Sequence, residues 1–167
     1  MSARMGTGCL LVIMVAFGMW NCGASGQRTS SINESAAIAG SLPWNPLQWK
    51  VITSSVDRQA STMSTLYGND AAVQYARGNS GNEYPAGSVL ALVTWTRQAD
   101  AHWFGAAIPG QVKSVEFVSM AADSNGQRSY SYASYQGSPL VQTAALSGRS
   151  AGSRAAYLVF LRAAVMP

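Results

Sequence analysis

Cysteine is almost absent from this chain, and what there is lies near the amino terminus. The two cysteines are Cys9 and Cys22, so no thiol occurs between Gly23 and Pro167. That part of the chain therefore has no internal disulfide and no thiolate ligand. A metal site of the zinc-finger type is excluded there, and no other metal site is predicted.

Charge is also scarce, at 11% charged residues with a formal net charge of +4. The cations are scattered from Arg28 to Arg162. A nucleic-acid-binding face needs clustered cations that displace counterions, so nucleic acid is not expected as a partner. The carboxylates are equally dispersed, and no acid/base pair is evident among Asp57, Asp70, Glu83, Asp100, Glu116 and Asp123. No catalytic residue is therefore predicted.

Residues 1–26 have the pattern of an export signal. Arg4 supplies a positive charge, Leu10–Phe17 is an apolar run, and Ala24–Gly26 offers the small residues that a signal peptidase needs. The run is short for a bilayer span, which takes about 20 residues. The sequence predicts an exported, periplasmic protein, with an uncleaved membrane anchor as the alternative.

Cys22 offers a second fate for this segment, a lipid anchor in the cell envelope. A lipoprotein signal ends in a cysteine that follows a small residue, whereas Asn21 precedes Cys22. Simple cleavage near Gly26 is therefore preferred. Residues 27–43 are predicted as a flexible linker because they are rich in serine, glycine and alanine, and residues 44–167 as the folded domain.

Strand patterns recur through the predicted domain. Apolar and β-branched content predicts strands over Trp49–Thr53, Thr62–Tyr67, Val89–Thr96, Ser114–Met120, Arg128–Tyr135 and Tyr157–Leu161. The first two are expected to pair. The third is nearly continuous in apolar residues, which is typical of a central strand covered on both faces.

Turn and cap residues separate these strands. Asn69 is a suitable N-cap for a short helix from Asp70 to about Arg77. Tyr84–Gly87 predicts a turn, and Asn125-Gly126 predicts a tight hairpin. Asp100–Trp103 is expected to form a loop that leaves the third strand.

The order of four segments resembles the cytochrome P460 family. The similarity covers roughly Trp49 to Phe160, and its pieces are Thr62–Val73, Tyr84–Leu90, Thr94-Trp95 and His102–Gly110. The resemblance implies an exported α+β domain, a mostly antiparallel β-sheet with a few flanking helices, which often forms a homodimer. It also implies a c-type haem near the carboxyl terminus and chemistry on hydroxylamine or nitrogen oxides.

The chain departs from the family at the haem attachment site. The family holds its haem with Cys-x-x-Cys-His, in which two thiols bind the vinyl groups and the imidazole ligates iron. Counting back from Tyr157–Phe160, the alignment puts Ala145 and Gly148 at the cysteine positions and Arg149 at the histidine position. No covalent haem is therefore expected. The family's porphyrin-crosslinking lysine has no clear counterpart, since only Lys50 and Lys113 are available.

His102 is the single histidine, and two interpretations of it are open. A neutral imidazole could bind haem iron non-covalently. The surrounding loop pattern instead favours a solvated or locally hydrogen-bonded side chain, and this interpretation is preferred.

Aromatic side chains supply the remaining candidates for a ligand site. Together with His102, the residues that could line a pocket are Trp95, Trp103, Phe104, Tyr130 and Tyr132. The alternative is that they are core or dimer contacts.

The sequence thus predicts a haem-free P460-like envelope domain that binds a small ligand or a partner. The alternative is an oxidoreductase of P460 type that uses non-covalently bound haem. An enzyme of unrelated chemistry on the same scaffold is a third hypothesis, because a fold does not determine a function.

Overall fold

The computed structural model describes residues 32–78, 83–122, 124–143 and 148–163. The predicted export signal, Cys22 and Ala145 lie outside the described residues, as does the side chain of Arg149. Within the described part of the chain, no helix is long and apolar enough to cross a membrane.

The described part of the chain contains six antiparallel strands, which form one sheet in which the order along the chain is also the order in space. The strands are β1 Lys50–Asp57, β2 Thr62–Gly68, β3 Val89–Ala99, β4 Ala107–Ala122, β5 Arg128–Gln136 and β6 Val141–Gln142. The first five predicted strands are therefore confirmed, with β3 and β4 longer than expected. The predicted pairing of the first two is confirmed as well, from Lys50 opposite Gly68 to Asp57 opposite Thr62.

Among the described residues, two α-helices accompany the sheet, α1 Asp70–Gly78 and α2 Gly148–Phe160, with short 3₁₀ helices at Glu34–Ala36 and Pro46–Gln48. The fold is α+β, as predicted. Asn69 caps α1 as expected, because its Oδ1 accepts a hydrogen bond from the Ala72 amide at 3.1 Å. The same oxygen accepts from the Val89 amide at 3.1 Å, and the Asn69 side-chain amide donates to the Gly87 carbonyl at 2.8 Å.

The predicted final strand over Tyr157–Leu161 is wrong, since these residues belong to the end of α2 and the chain that follows it. Ala155 and Leu158 are buried, whereas Tyr157 and Phe160 are exposed. That spacing of three is the period of a helix with one face against a core. An apolar run of five residues does not distinguish a strand from a helix unless its neighbours are considered.

Strand β3 runs through the centre of the sheet and is covered on both sides, as its apolar run predicts. Leu90 and Leu92 point to one side, which we call the helical face because α1 and α2 cover it. Ala91, Val93 and Trp95 point to the other, which we call the aromatic face.

The aromatic face is covered by residues 36–49, which include most of the described part of the predicted linker. Ala36, Ile38 and Leu42 pack against this face, and the Trp95 indole Nε1 donates to the Ala36 carbonyl at 3.0 Å. Trp44 and Trp49 add ring contacts to the buried Phe117, at centroid distances of 5.4 and 6.4 Å. Residues 32–43 are therefore part of the domain rather than a free linker, because their apolar side chains fill the surface that Trp95 and its neighbours present.

Candidate functional site

Helix α2 stands over the helical face with small side chains and leaves a cavity of about 570 Å³ beneath it. The helix contributes Ala151, Gly152, Ala155 and Ala156 to the lining. A side chain added at Gly152 would meet nothing within 4 Å. Small residues at these four positions therefore leave open space along this stretch of α2, and Val159 and Phe160 of the same helix also line the cavity.

Four tyrosines form the opposite wall. Tyr75 of α1 and Tyr84 lie with ring centroids 4.4 Å apart and ring planes tilted by 46°. Tyr130 and Tyr132 alternate along β5, so both point to the helical face. Burial raises the pKa of Tyr84, and the neighbouring Tyr75 adds to that rise.

A buried polar cluster ties α2 to the sheet beside this wall. Glu116 of β4 is 6% exposed and accepts hydrogen bonds from the Tyr132 hydroxyl and from Arg154 of α2. Arg154 donates through two nitrogens, with Nε 3.0 Å from Oε1, and its guanidinium also lies 4.9 Å from the centre of the Tyr157 ring. The pairing with Glu116 raises the pKa of Arg154. Burial, followed by the bond to Glu116, raises the pKa of Tyr132 to about 12.

The charged residues at the cavity wall are Glu83 and Arg162. Glu83 is paired with Arg128, whose Nη1 lies 2.9 Å from Oε2. Arg162 acts on Tyr84, where its positive charge lowers the pKa against the larger effect of burial. The lining of the cavity thus combines the small apolar residues of α2 with phenols and the guanidinium of Arg162.

The hydroxyl of Tyr132 is not poised to transfer a proton near neutral pH. A phenol with a pKa of about 12 stays protonated near neutral pH, and the Tyr132 proton is already donated to Glu116. Among the described residues no group of three or more metal-ligating side chains is present.

The structure brings together two of the predicted ligand-binding residues and places the others elsewhere. Tyr130 and Tyr132 line the cavity. Trp95 is buried on the aromatic face. His102 and Trp103 lie in the loop between β3 and β4, where Trp103 is 72% exposed and the neighbouring Phe104 is fully exposed.

The loop around His102 is held by one carboxylate. Asp100 Oδ1 accepts hydrogen bonds from the backbone amides of His102 and Trp103, at 2.7 and 3.3 Å. The His102 Nδ1 lies 3.6 Å from the same oxygen, and its side chain is largely exposed. The prediction of a loop is confirmed, and His102 is not among the residues lining the cavity.

Two residues beside the cavity were not singled out by the sequence analysis, and both belong to the polar cluster that ties α2 to the sheet. Arg154 and Glu116 are 38 positions apart, and Glu116 was counted only as one dispersed carboxylate. The sequence does carry a signal for the side of the cavity that α2 lines. The spacing of Ala151, Gly152, Ala155 and Ala156 places four small residues on one helical stripe. That pattern was obscured because the end of the helix was interpreted as a strand.

The donors of this chain do not fit the covalent haem that the P460 resemblance implies. Thioether attachment needs two thiols, and none occurs from Gly23 onward. The single imidazole, His102, belongs to an exposed loop rather than to the cavity wall.

Comparison with known proteins gives one match, which agrees with the resemblance found in the sequence. A search of curated proteins found no match. The family model of cytochrome P460 matches residues 47–150, which is more than half of the chain and spans all six strands and α1. This chain therefore belongs to the cytochrome P460 family.

Proposed function

We propose that this chain is an exported cytochrome P460 domain that carries no covalent haem and binds a small ligand in the cavity beneath α2. The observation that carries the proposal is the cavity itself. Its volume of about 570 Å³ lies within the range of about 300–1,000 Å³ that is usual for small-molecule sites. An apolar surface with a few convergent polar groups is the usual composition of such a site.

Binding is preferred to catalysis because Tyr132 and Glu83, two polar groups of the described wall, are each engaged by a neighbouring side chain. Tyr132 is held protonated against Glu116, whose other bonds go to Arg154. Glu83 is neutralised by Arg128. These polar groups can orient a ligand, whereas a general acid or base needs a pKa near the working pH.

A matched pair of variants on α2 tests the site. Gly152→Leu projects a side chain into the open space, while Ser153→Leu changes an exposed neighbour that does not line the cavity. With naphthalene-2-carboxamide as a neutral probe, we expect calorimetric titration to detect binding to the wild type and to Ser153→Leu but not to Gly152→Leu. Binding that survives in a folded Gly152→Leu variant would contradict the proposal.

The haem part of the proposal has a separate test. Protein purified from a haem-replete periplasm should show no haem-staining band at its own mass on a denaturing gel. A band at that mass would contradict it. Haemin titration then separates the alternative: a Soret shift and a rise in melting temperature that disappear in His102→Ala would favour an oxidoreductase with non-covalent haem.

Export and processing form the third part of the proposal. The motif in residues 1–26 supports a mature amino terminus between Cys22 and Gln27, and intact mass in an exporting host measures it. A diacylglyceryl increment on Cys22 would indicate a lipid anchor instead of soluble export, and retention of Met1 would contradict export. The homodimer that the family resemblance implies stays a prediction.

A further inference from the structure

The charged side chains that line the cavity determine which of the ligands that fit its shape would bind best. Aromatic walls next to a carboxylate can also bind organic cations, because a ring face attracts positive charge. Tyr75, Tyr84, Tyr130 and Tyr132 beside Glu83 are such a set by residue type. The sign of the preferred ligand therefore depends on which charges are already neutralised.

Glu83 is engaged by a cation of its own. The Arg128 Nη1 lies 2.9 Å from the Glu83 carboxylate and 3.4 Å from the Tyr84 carbonyl oxygen, so this guanidinium sits at the edge of the phenol wall. A cationic ligand would have to displace Arg128 from Glu83. The exchange offers little gain, since one exposed ion pair replaces another.

The second buried pair also leaves no net charge. Glu116 accepts two hydrogen bonds from Arg154, so their charges cancel at the wall that carries Tyr132. Both carboxylates close to the cavity are thus paired.

Arg162 is the lining cation that no carboxylate of the described residues neutralises. It follows directly after α2, with Phe160 and Val159 of the same lining next to it in sequence. Its electrostatic effect on Tyr84 shows that the guanidinium is close enough to act on groups at the phenol wall. A guanidinium is charged at any physiological pH and binds a carboxylate through two parallel N–H groups.

We propose that the cavity takes a planar aromatic carboxylate, with its ring system between the small residues of α2 and the Tyr75–Tyr84 pair and its anionic end at Arg162. The Tyr75 ring packs against the buried Tyr84 and supplies an aromatic surface for a flat ligand, and the stripe around Gly152 and Ala155 allows a flat body to approach the helix closely. This inference rests on the proposed function, because it names the ligand class of the same cavity.

Three naphthalene probes of similar size, one anionic, one neutral and one cationic, test the inference on the full chain. They are naphthalene-2-carboxylate, its neutral carboxamide and the cation 2-naphthylmethylammonium. We expect the carboxylate to bind about five- to tenfold more tightly than the carboxamide, and the cation to bind most weakly. Raising the salt concentration should weaken the carboxylate alone, because only its attraction to Arg162 is screened.

Two variants assign the effect to its residue. Arg162→Gln keeps a polar side chain but removes the charge, and it should reduce carboxylate affinity to that of the carboxamide, leaving carboxamide affinity unchanged. Arg58→Gln removes a cation from the turn between β1 and β2, outside the cavity, and should change neither. Melting curves of both variants establish that they are folded.

The outcomes separate this inference from the proposed function. If the carboxamide binds and Gly152→Leu blocks it, but carboxylate and carboxamide bind equally and Arg162→Gln has no effect, the ligand class is wrong and the site stands. Tightest binding of the cation would also overturn the ligand class and would indicate a Glu83 site. If none of the three probes binds the wild type, the proposed function fails and the inference falls with it.

Discussion

The two faces of the central sheet are closed in different ways. The aromatic face is covered by large rings: Phe117 of the sheet contacts Trp44 and Trp49 of the covering segment, and Trp95 donates a hydrogen bond to Ala36 of that segment. The helical face is sealed by aliphatic side chains near α1 but leaves the cavity where α2 presents alanine and glycine. One side of the sheet is therefore closely packed, and the other is less closely packed at the proposed ligand cavity.

The difference lies in side-chain volume rather than in backbone geometry. Both faces belong to the same strands, since alternate residues of β3 point to opposite sides. A helix that carries small residues leaves open space beside the sheet, and the lining side chains Tyr130 and Phe160 remain exposed there. The substitutions below compare the two faces in order of decreasing effect.

The largest loss of stability is expected from Trp95→Ala on the aromatic face. This side chain is 5% exposed and anchors the covering segment through Ala36, so truncation opens a large cavity and frees residues 36–42. We expect a decrease of about 3–5 kcal/mol in the free energy of unfolding. Chemical denaturation of Trp95→Ala and Trp95→Phe measures it, and a loss below about 1 kcal/mol in the alanine variant would show that this face is not tightly packed.

Removing Arg154 tests how α2 is held on the helical face. Arg154→Ala leaves the buried Glu116 carboxylate without its guanidinium, which should cost about 2–3 kcal/mol. This is less than for Trp95 because Arg154 is partly exposed. In the double variant Glu116→Gln with Arg154→Ala, the unpaired charge is gone, so we expect part of the loss to be recovered. Equal losses in the single and double variants would argue against the pair.

Tyr132→Phe gives a smaller, pH-dependent effect on the same face. Loss of the hydrogen bond to the charged Glu116 should reduce stability by about 1–2 kcal/mol at neutral pH. Because the folded-state pKa is raised from 10.0 to about 12, that contribution is fully present below pH 10 and is lost as the pH rises to about 12. Denaturation curves of wild type and variant should therefore converge across this window. A constant difference from pH 9 to pH 12 would contradict the assignment.

His102→Ala is expected to have the smallest effect, since His102 belongs to neither face. Its imidazole is largely exposed, and the loop is held by Asp100 through backbone amides that the substitution keeps. The change in stability should be below about 1 kcal/mol. Thermal melts next to Asp100→Ala, which removes the acceptor of both amides, provide the comparison. A larger loss in His102→Ala than in Asp100→Ala would show that the imidazole itself holds the loop.

The sheet was largely predictable because its signals are local. The continuous apolar run of β3 predicted a strand covered on both sides, and Asn69 predicted the start of α1, and both are confirmed. The family resemblance is confirmed by the match over residues 47–150.

The cavity was not predictable in the same way because it depends on distant residues. The Glu116–Arg154 pair joins a strand to a helix 38 positions later, and no local pattern reports that contact. Tyr130 and Tyr132 were candidates on residue type alone, yet nothing in the sequence separated them from Trp95, which packs on the other side. Because Tyr157–Leu161 was interpreted as a strand, the sequence analysis did not predict α2, whose small residues line one side of the cavity.

The three hydrogen bonds of the Asn69 side chain have a consequence for local opening of the domain. They bind the first turn of α1 to the amide of Val89, 20 residues later, and to the Gly87 carbonyl. One side chain therefore links the amino end of α1 to the entry of β3, so that opening at either place breaks hydrogen bonds of the same residue. Tyr75 and Tyr84 lie between Asn69 and Val89 in the chain, so half of the phenol wall belongs to the segment that these bonds close.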